Sequence, residues 1–187
     1  MKIFIWSLLF YLVSLPAYAA QSSFDYDFVD VRVGFADLGG ASGAGILAGV
    51  SRKISPDTYA AAAYQYGWAN DADYWQEDLY LGGGYILPLD NKTDINVGAG
   101  LLLQWVEGCA YYCGANNDTG IRLNAAYRHA LDRQQELSAE LIYNAIFDNA
   151  DIGFSLTWIL TQTEALSLGV QYESIGDLSI TRVVARF

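Results

Sequence analysis

Asp94-Ile95-Asn96-Val97-Gly98-Ala99-Gly100-Leu101-Leu102-Leu103-Gln104-Trp105 decides the fold of this chain. Ile95, Val97, Ala99, Leu101, Leu103 and Trp105 form one set; Asp94, Asn96, Gly98, Gly100, Leu102 and Gln104 form the other. A two-residue period places the two sets on opposite faces of an extended strand, one apolar and one mostly polar or small. Leu137–Phe147 and Ile152–Leu160 alternate in the same way. Beyond the first nineteen residues, no stretch carries a 3.6-residue stripe bounded by helix caps. The chain reads as all-β.

Working outward from Asp94–Trp105 gives ten such segments, near 26–36, 44–54, 58–69, 77–88, 93–106, 119–131, 136–147, 151–160, 165–174 and 178–187. Each approaches the ~9–11 residues of a tilted strand that crosses a bilayer. Their connections alternate in character. Ser55-Pro56-Asp57, Asp90-Asn91-Lys92, Asp132-Arg133-Gln134 and Thr161-Gln162-Thr163 are tight polar turns. The remaining connections, such as Asn70–Gln76 and Gly108–Asp118, are mostly longer and richer in Gly, Asn and aromatic residues. Short turns on one rim and longer loops on the other predict an antiparallel, up-and-down transmembrane β-barrel with both termini on the short-turn, periplasmic rim. Ten strands are expected, with eight as the alternative.

Composition and the amino terminus narrow the setting. The 187 residues are 53% hydrophobic and 14% aromatic, which argues against a disordered chain. A net charge of -11 without a basic stripe argues against nucleic acid as a partner. Lys2, the apolar run Ile3–Leu15 and Ala17-Tyr18-Ala19 have the three parts of a secretory signal peptide over residues 1–19. That leaves residues 20–187 as the barrel domain. The apolar run is shorter than the ~20 residues of a spanning helix, and Pro16 interrupts it.

Alternation alone also fits a soluble barrel, so the composition of the faces decides. A solvated face would carry many Lys and Glu. Here the polar face carries Asp30, Arg32, Asp78, Asp94, Asn96, Arg122, Asn124, Arg128, Glu140, Asn144, Gln171, Glu173, Arg182 and Arg186, without a Lys from the third strand to the tenth. Mixed signs with Arg in place of Lys suit an enclosed lumen, where guanidinium groups bind carboxylates through several hydrogen bonds. The apolar face has aromatics near strand ends, among them Tyr64, Tyr66, Trp68, Trp105, Tyr143, Phe147, Trp158, Tyr172 and Phe187. Tyr and Trp prefer the headgroup level of a membrane, where one end of the ring is apolar and the other wet. Hydrocarbon is therefore expected outside and charge inside.

The cleavable leader, the ten alternating strands and the terminal Thr181-Arg182-Val183-Val184-Ala185-Arg186-Phe187 together resemble the small porin-like outer-membrane β-barrel proteins. The hairpin running from Gly82-Gly83-Gly84-Tyr85-Ile86-Leu87-Pro88-Leu89-Asp90 to Val97-Gly98-Ala99-Gly100 resembles that family's central hairpin. The resemblance spans the mature chain. It implies a bacterial outer-membrane location, contact with outer-membrane lipid including lipopolysaccharide, and a last strand ending in Phe187 that the assembly machinery reads.

Other candidates carry less chemistry. Cys109 and Cys113 lie in the longest expected loop, and export makes a loop-closing disulfide the preferred reading over a metal pair, since no His is near. His129, the single histidine, falls on the outward face beside a short turn, a place for an interfacial aromatic rather than a catalytic base. No catalytic, metal or cofactor site is expected, and the chain is not read as an enzyme. Asp71, Asp73 and Glu77 belong to an acidic set on the long-loop rim that would attract cations within about a Debye length, ~8 Å. Two functions stand at this point. One is a narrow passive channel for small cationic solutes. The other is a structural or surface-interaction barrel using acidic and aromatic outer loops. Deleting Phe187 is expected to impair assembly, measured as loss of the fast-migrating unboiled gel band; full assembly without it would remove the terminal-signal reading.

Overall fold

The structure is a computed structural model that describes residues 24–38, 41–69, 74–108, 114–146, 149–163, 165–176 and 178–187. The expected signal peptide, Cys109, Cys113, Asp71 and Asp73 lie outside the described residues. Ten strands run β1 (Phe28–Leu38), β2 (Ala41–Ser55), β3 (Thr58–Ala69), β4 (Tyr74–Asp90), β5 (Thr93–Gly108), β6 (Gly114–Ala130), β7 (Glu136–Ile146), β8 (Asn149–Gln162), β9 (Ser167–Ile175) and β10 (Leu178–Arg186). Each pairs antiparallel with its sequence neighbours, and β1 pairs with β10 from Asp30↔Arg186 to Leu38↔Leu178, so the sheet closes into a barrel.

Number and order follow the alternation; several boundaries do not. β4 starts at Tyr74 and β6 at Gly114, each earlier than the sequence alone suggests. Asn116, Asn117 and Asp118 favour turns when isolated. Here they pair with Val106, Trp105 and Gln104 of β5, and a partner strand already in place outweighs their own preference. The longest expected loop is correspondingly shortened. Glu77, expected in an outer loop, lies within β4 opposite Trp105 of β5. β1 starts at Phe28, leaving Phe24–Asp27 outside the sheet.

The short-turn end is built by side-chain caps. The Asp90 carboxylate accepts the Lys92 backbone N–H at 2.7 Å, and one Asp132 oxygen accepts the N–H groups of Gln134 and Gln135. Thr163 Oγ1 accepts the N–H of Leu166 at 3.0 Å. The pairing register shifts beside three of the four short turns, at Lys53/Ser55, Pro88/Asp90 and Ile159/Thr161. The extra residues are Ile54, Leu89 and Leu160, all exposed. A bulge of this kind adds a residue to one strand and sharpens its twist, which helps a sheet to close.

Burial is inverted relative to a soluble protein. Val33, Phe35, Leu101, Leu141, Ile152 and Val183 are more than half exposed on the outer surface, within a continuous apolar band. Asp30, Asp94, Ser155, Gln171 and Arg182 are almost wholly enclosed. An apolar surface of this extent is untenable in water. Aromatics rim the band. Tyr66 packs on Trp68 and Trp75 at 5.6 and 6.5 Å near one edge, and Tyr127, Trp158 and Phe187 lie towards the other. The chain spans a membrane through its strands.

Small residues shape the inner wall. The Tyr80 ring lies flat over Gly82 and Gly100, whose strands pair directly. A Cβ at Gly100 would meet that ring and approach the Leu81 carbonyl oxygen at 2.6 Å. Gly100→Val should therefore destabilise the barrel by about 1–3 kcal/mol, as overpacking of a filled interior does. The temperature at which the compact gel band converts to the unfolded one reads this, and an unchanged temperature contradicts the packing account.

Candidate functional site

The lumen is the candidate site, because alternation turns one chemically varied side chain from every second residue into a shared interior. At the short-turn end Arg128 of β6 donates from Nε and Nη2 to the two oxygens of Glu136 on β7, each at 2.9 Å. Arg186 of β10 stands 3.8 Å from the same carboxylate, with its guanidinium 4.2 Å from the centroid of the Phe28 ring. Arg128 is also stacked on Phe24 and Tyr26, 4.6 Å from each centroid. The Tyr26 hydroxyl donates to Asp94 at 3.4 Å. Burial raises the Tyr26 pKa above the ordinary phenol value, with the Arg128 charge opposing, so the hydroxyl keeps its proton as a donor at neutral pH.

A second layer sits deeper. Asp30 and Arg32 pair along β1, one position from each other on the inner face. Tyr59 of β3 donates to Asn96 of β5 at 3.4 Å. Glu140 accepts from the Asn124 amide at 2.9 Å. Arg182 of β10, 1% exposed, binds Glu173 at 3.3 Å and Gln171 at 3.1 Å. Its other terminal nitrogen donates to Gln65 of β3 at 2.7 Å. With β1 and β2 between those strands in the wall, this bond bridges the lumen.

Towards the opposite end the character changes. Asp78 accepts from the amides of Gln76, at 2.8 and 3.0 Å, and of Gln104, at 2.9 Å. Arg122 donates to Asn144 at 2.9 Å and stands 5.7 Å from the Tyr80 ring centroid. Asp94, Arg128 and Glu136 are closed off from solvent at the short-turn end, whereas Gln65, Asp78, Gln104 and Arg122 keep partial access. The interior is a cup, tight at the short turns and looser at the other rim.

Asp30, Arg32, Asp78, Asp94, Arg122, Arg128, Glu140, Glu173, Arg182 and Arg186 all share the inward parity of their strands. Glu136, Gln65, Gln104, Tyr59 and Tyr80 share it without having been singled out. Glu136 abuts a turn, but it shares its parity with Glu140 and Asn144, and that parity marks it as inward. His129 lies on the outer face, stacked on Tyr127 at 6.2 Å with Nδ1 3.0 Å from Thr93 Oγ1. Glu77 also faces outward, among Tyr64, Trp75 and Trp105.

No family model and no curated protein matches the sequence. Solved structures do. The translocator domain of autotransporter NalP from Neisseria meningitidis is 13% identical with a TM-score of 0.50, covering 100% of this chain and 95% of that one. Outer membrane protein OprG from Pseudomonas aeruginosa is 12% identical with a TM-score of 0.48, covering 90% and 99%. The KdgM porin is 11% identical with a TM-score of 0.46, covering 86% and 98%. At these identities the likeness concerns the fold alone: a closed antiparallel barrel of the outer-membrane type.

Glu136 is the electrostatic centre of the short-turn end. Glu136→Ala leaves Arg128 and Arg186 enclosed without their shared carboxylate, and breaking a buried pair from one side costs about 3–5 kcal/mol. Urea unfolding in lipid vesicles, followed by Trp fluorescence, should show that loss. A change within error would mean that water supports both guanidinium groups.

Proposed function

We propose that this chain is an integral protein of the bacterial outer membrane whose narrow lumen passes small cations slowly and turns anions away. In this reading the short turns and both termini face the periplasm, and the rim near Trp68 and Trp75 faces outward. The apolar band meets lipid, with lipopolysaccharide in the outer leaflet, and Phe187 is the residue that the assembly machinery reads.

One observation carries the choice of solute. Four of the five lumen arginines bind wall carboxylates: Arg32 with Asp30, Arg128 and Arg186 with Glu136, and Arg182 with Glu173. Arg122 binds the Asn144 amide oxygen. Asp78 and Glu140, by contrast, are held by side-chain amides, and among the described residues no cation lies within ion-pair distance of either. A solute in the lumen therefore meets two carboxylates without an ion-pair partner against one such guanidinium. In a confined low-dielectric passage that excess favours cations.

A second reading is a surface-interaction barrel without transport, and the bridge from Arg182 to Gln65 supports it by narrowing the path. Planar-bilayer recording across a KCl gradient separates the two. Transport predicts small currents with a cation-selective reversal potential. Asp78→Asn with Glu140→Gln should lower the K⁺ over Cl⁻ preference by about threefold or more, as neutralising a ring of lumen charge does. Silence from folded, inserted protein favours the interaction reading; anion preference overturns the charge argument.

A further inference from the structure

Phe24–Asp27 precede β1, yet they turn into the short-turn mouth. Their pattern explains the placement. Phe24 and Tyr26 alternate with Asp25 and Asp27, so an extended segment laid across the mouth puts both rings inward and both carboxylates towards water. Phe24 and Tyr26 are 8% and 3% exposed, clustered with the wholly enclosed Ile86 and backed by Tyr59 and Ala130. The Tyr26 and Tyr59 rings are 5.3 Å apart.

The fastenings come from the side rather than from a ladder. Arg128 faces both rings, and its Nη1 reaches the Asp25 carbonyl oxygen at 3.5 Å. The Asp27 carboxylate accepts the Lys53 backbone N–H at 2.7 Å. Regular backbone pairing with β2 starts only at Phe28, opposite Ser51. The segment can thus leave the mouth without opening a seam of the barrel. Beside it lies a cavity of about 720 Å³ whose lining includes Phe24, Phe28, Arg128, Glu136 and Arg186, so the segment and the Arg128–Glu136–Arg186 cluster face the same space.

We propose that Phe24–Asp27 form a detachable plug over the short-turn mouth, latched by Arg128, so that small water-soluble molecules reach the lumen from the opposite end alone while the plug is seated. The plug stands on these contacts and does not require that the barrel conduct.

Thiol labelling tests it in the full chain in detergent, with Cys109 and Cys113 replaced by serine. Ser51→Cys places a reporter on the inner face at the short-turn end, opposite Phe28, where the native side chain is 7% exposed. Gln104→Cys reports on the looser end. With the plug seated, a small charged maleimide should modify position 51 slowly. Phe24→Ala with Tyr26→Ala should speed that modification by about tenfold or more, the change expected when a mostly closed segment becomes mostly open, and leave position 104 unchanged. An unchanged rate at position 51 overturns the plug. Acceleration at both positions also overturns it, because the rings would then be supporting the wall. Compact unboiled gel mobility identifies folded material; if the double variant lacks it, Tyr26→Ser alone should accelerate position 51 about threefold, by the same shift in population. Faster labelling from a barrel that is silent in bilayers would sink the transport reading and keep the plug; selective current with unaltered labelling would do the reverse.

Discussion

A peptide N–H or C=O group in hydrocarbon has no water to bond, and leaving one unpaired costs several kcal/mol. A sheet meets that demand only when it has no edge. The pairing of β1 with β10 is therefore the contact on which the other features depend. Once the sheet is closed, its two faces become two solvents. Val33, Leu141 and Val183 are stable at high exposure because lipid is their medium, while Asp30 and Arg182 can be enclosed because the same wall supplies their partners.

Enclosure alone does not make those charges stabilising. Removing two ions from water can cost more than their attraction returns, so the geometry has to supply extra hydrogen bonds. Arg128 has a two-pronged bond to Glu136 and aromatic faces above it; Arg182 has a carboxylate and two amides. Asp78 and Glu140 have amide donors only. The difference divides the interior into charges paired within the wall and charges held by side-chain amides alone. Small residues on β4 and β5 make the arrangement possible, since a ring such as Tyr80 lies flat against the wall only where Gly82 and Gly100 leave room.

How far the sequence was legible follows from what repeats in it. Period-two alternation in β5, β7 and β8 depends on no distant contact, so strand number, face assignment and the inward set could be read directly. The start of β6 could not, because Asn116 to Asp118 become strand only through pairing with β5. The start of β4 at Tyr74–Gln76 was hidden for the same reason: it is held by pairing with β3 and β5, not by its own residues. The individual clusters were also hidden. Alternation says that Arg182 and Gln65 face inward, but their meeting depends on the curvature and stagger of the closed wall.

The plug is the instructive case, since its alternation is as regular as that of a strand. Phe24-Asp25-Tyr26-Asp27 passes every local test for continuing β1. What separates it from β1 is the absence of an apolar outward face. In β1 the side chains opposite Asp30 and Arg32 are Val29, Val31 and Val33, which lipid accepts. In the preceding segment the side chains opposite the rings are Asp25 and Asp27, which lipid would reject. A chain with carboxylates on one side and aromatics on the other cannot extend the wall into hydrocarbon. It can cross a mouth, with its acids in water and its rings against Arg128. The change from valine to aspartate on the outward parity, between Asp27 and Val29, is thus where the membrane-spanning wall begins.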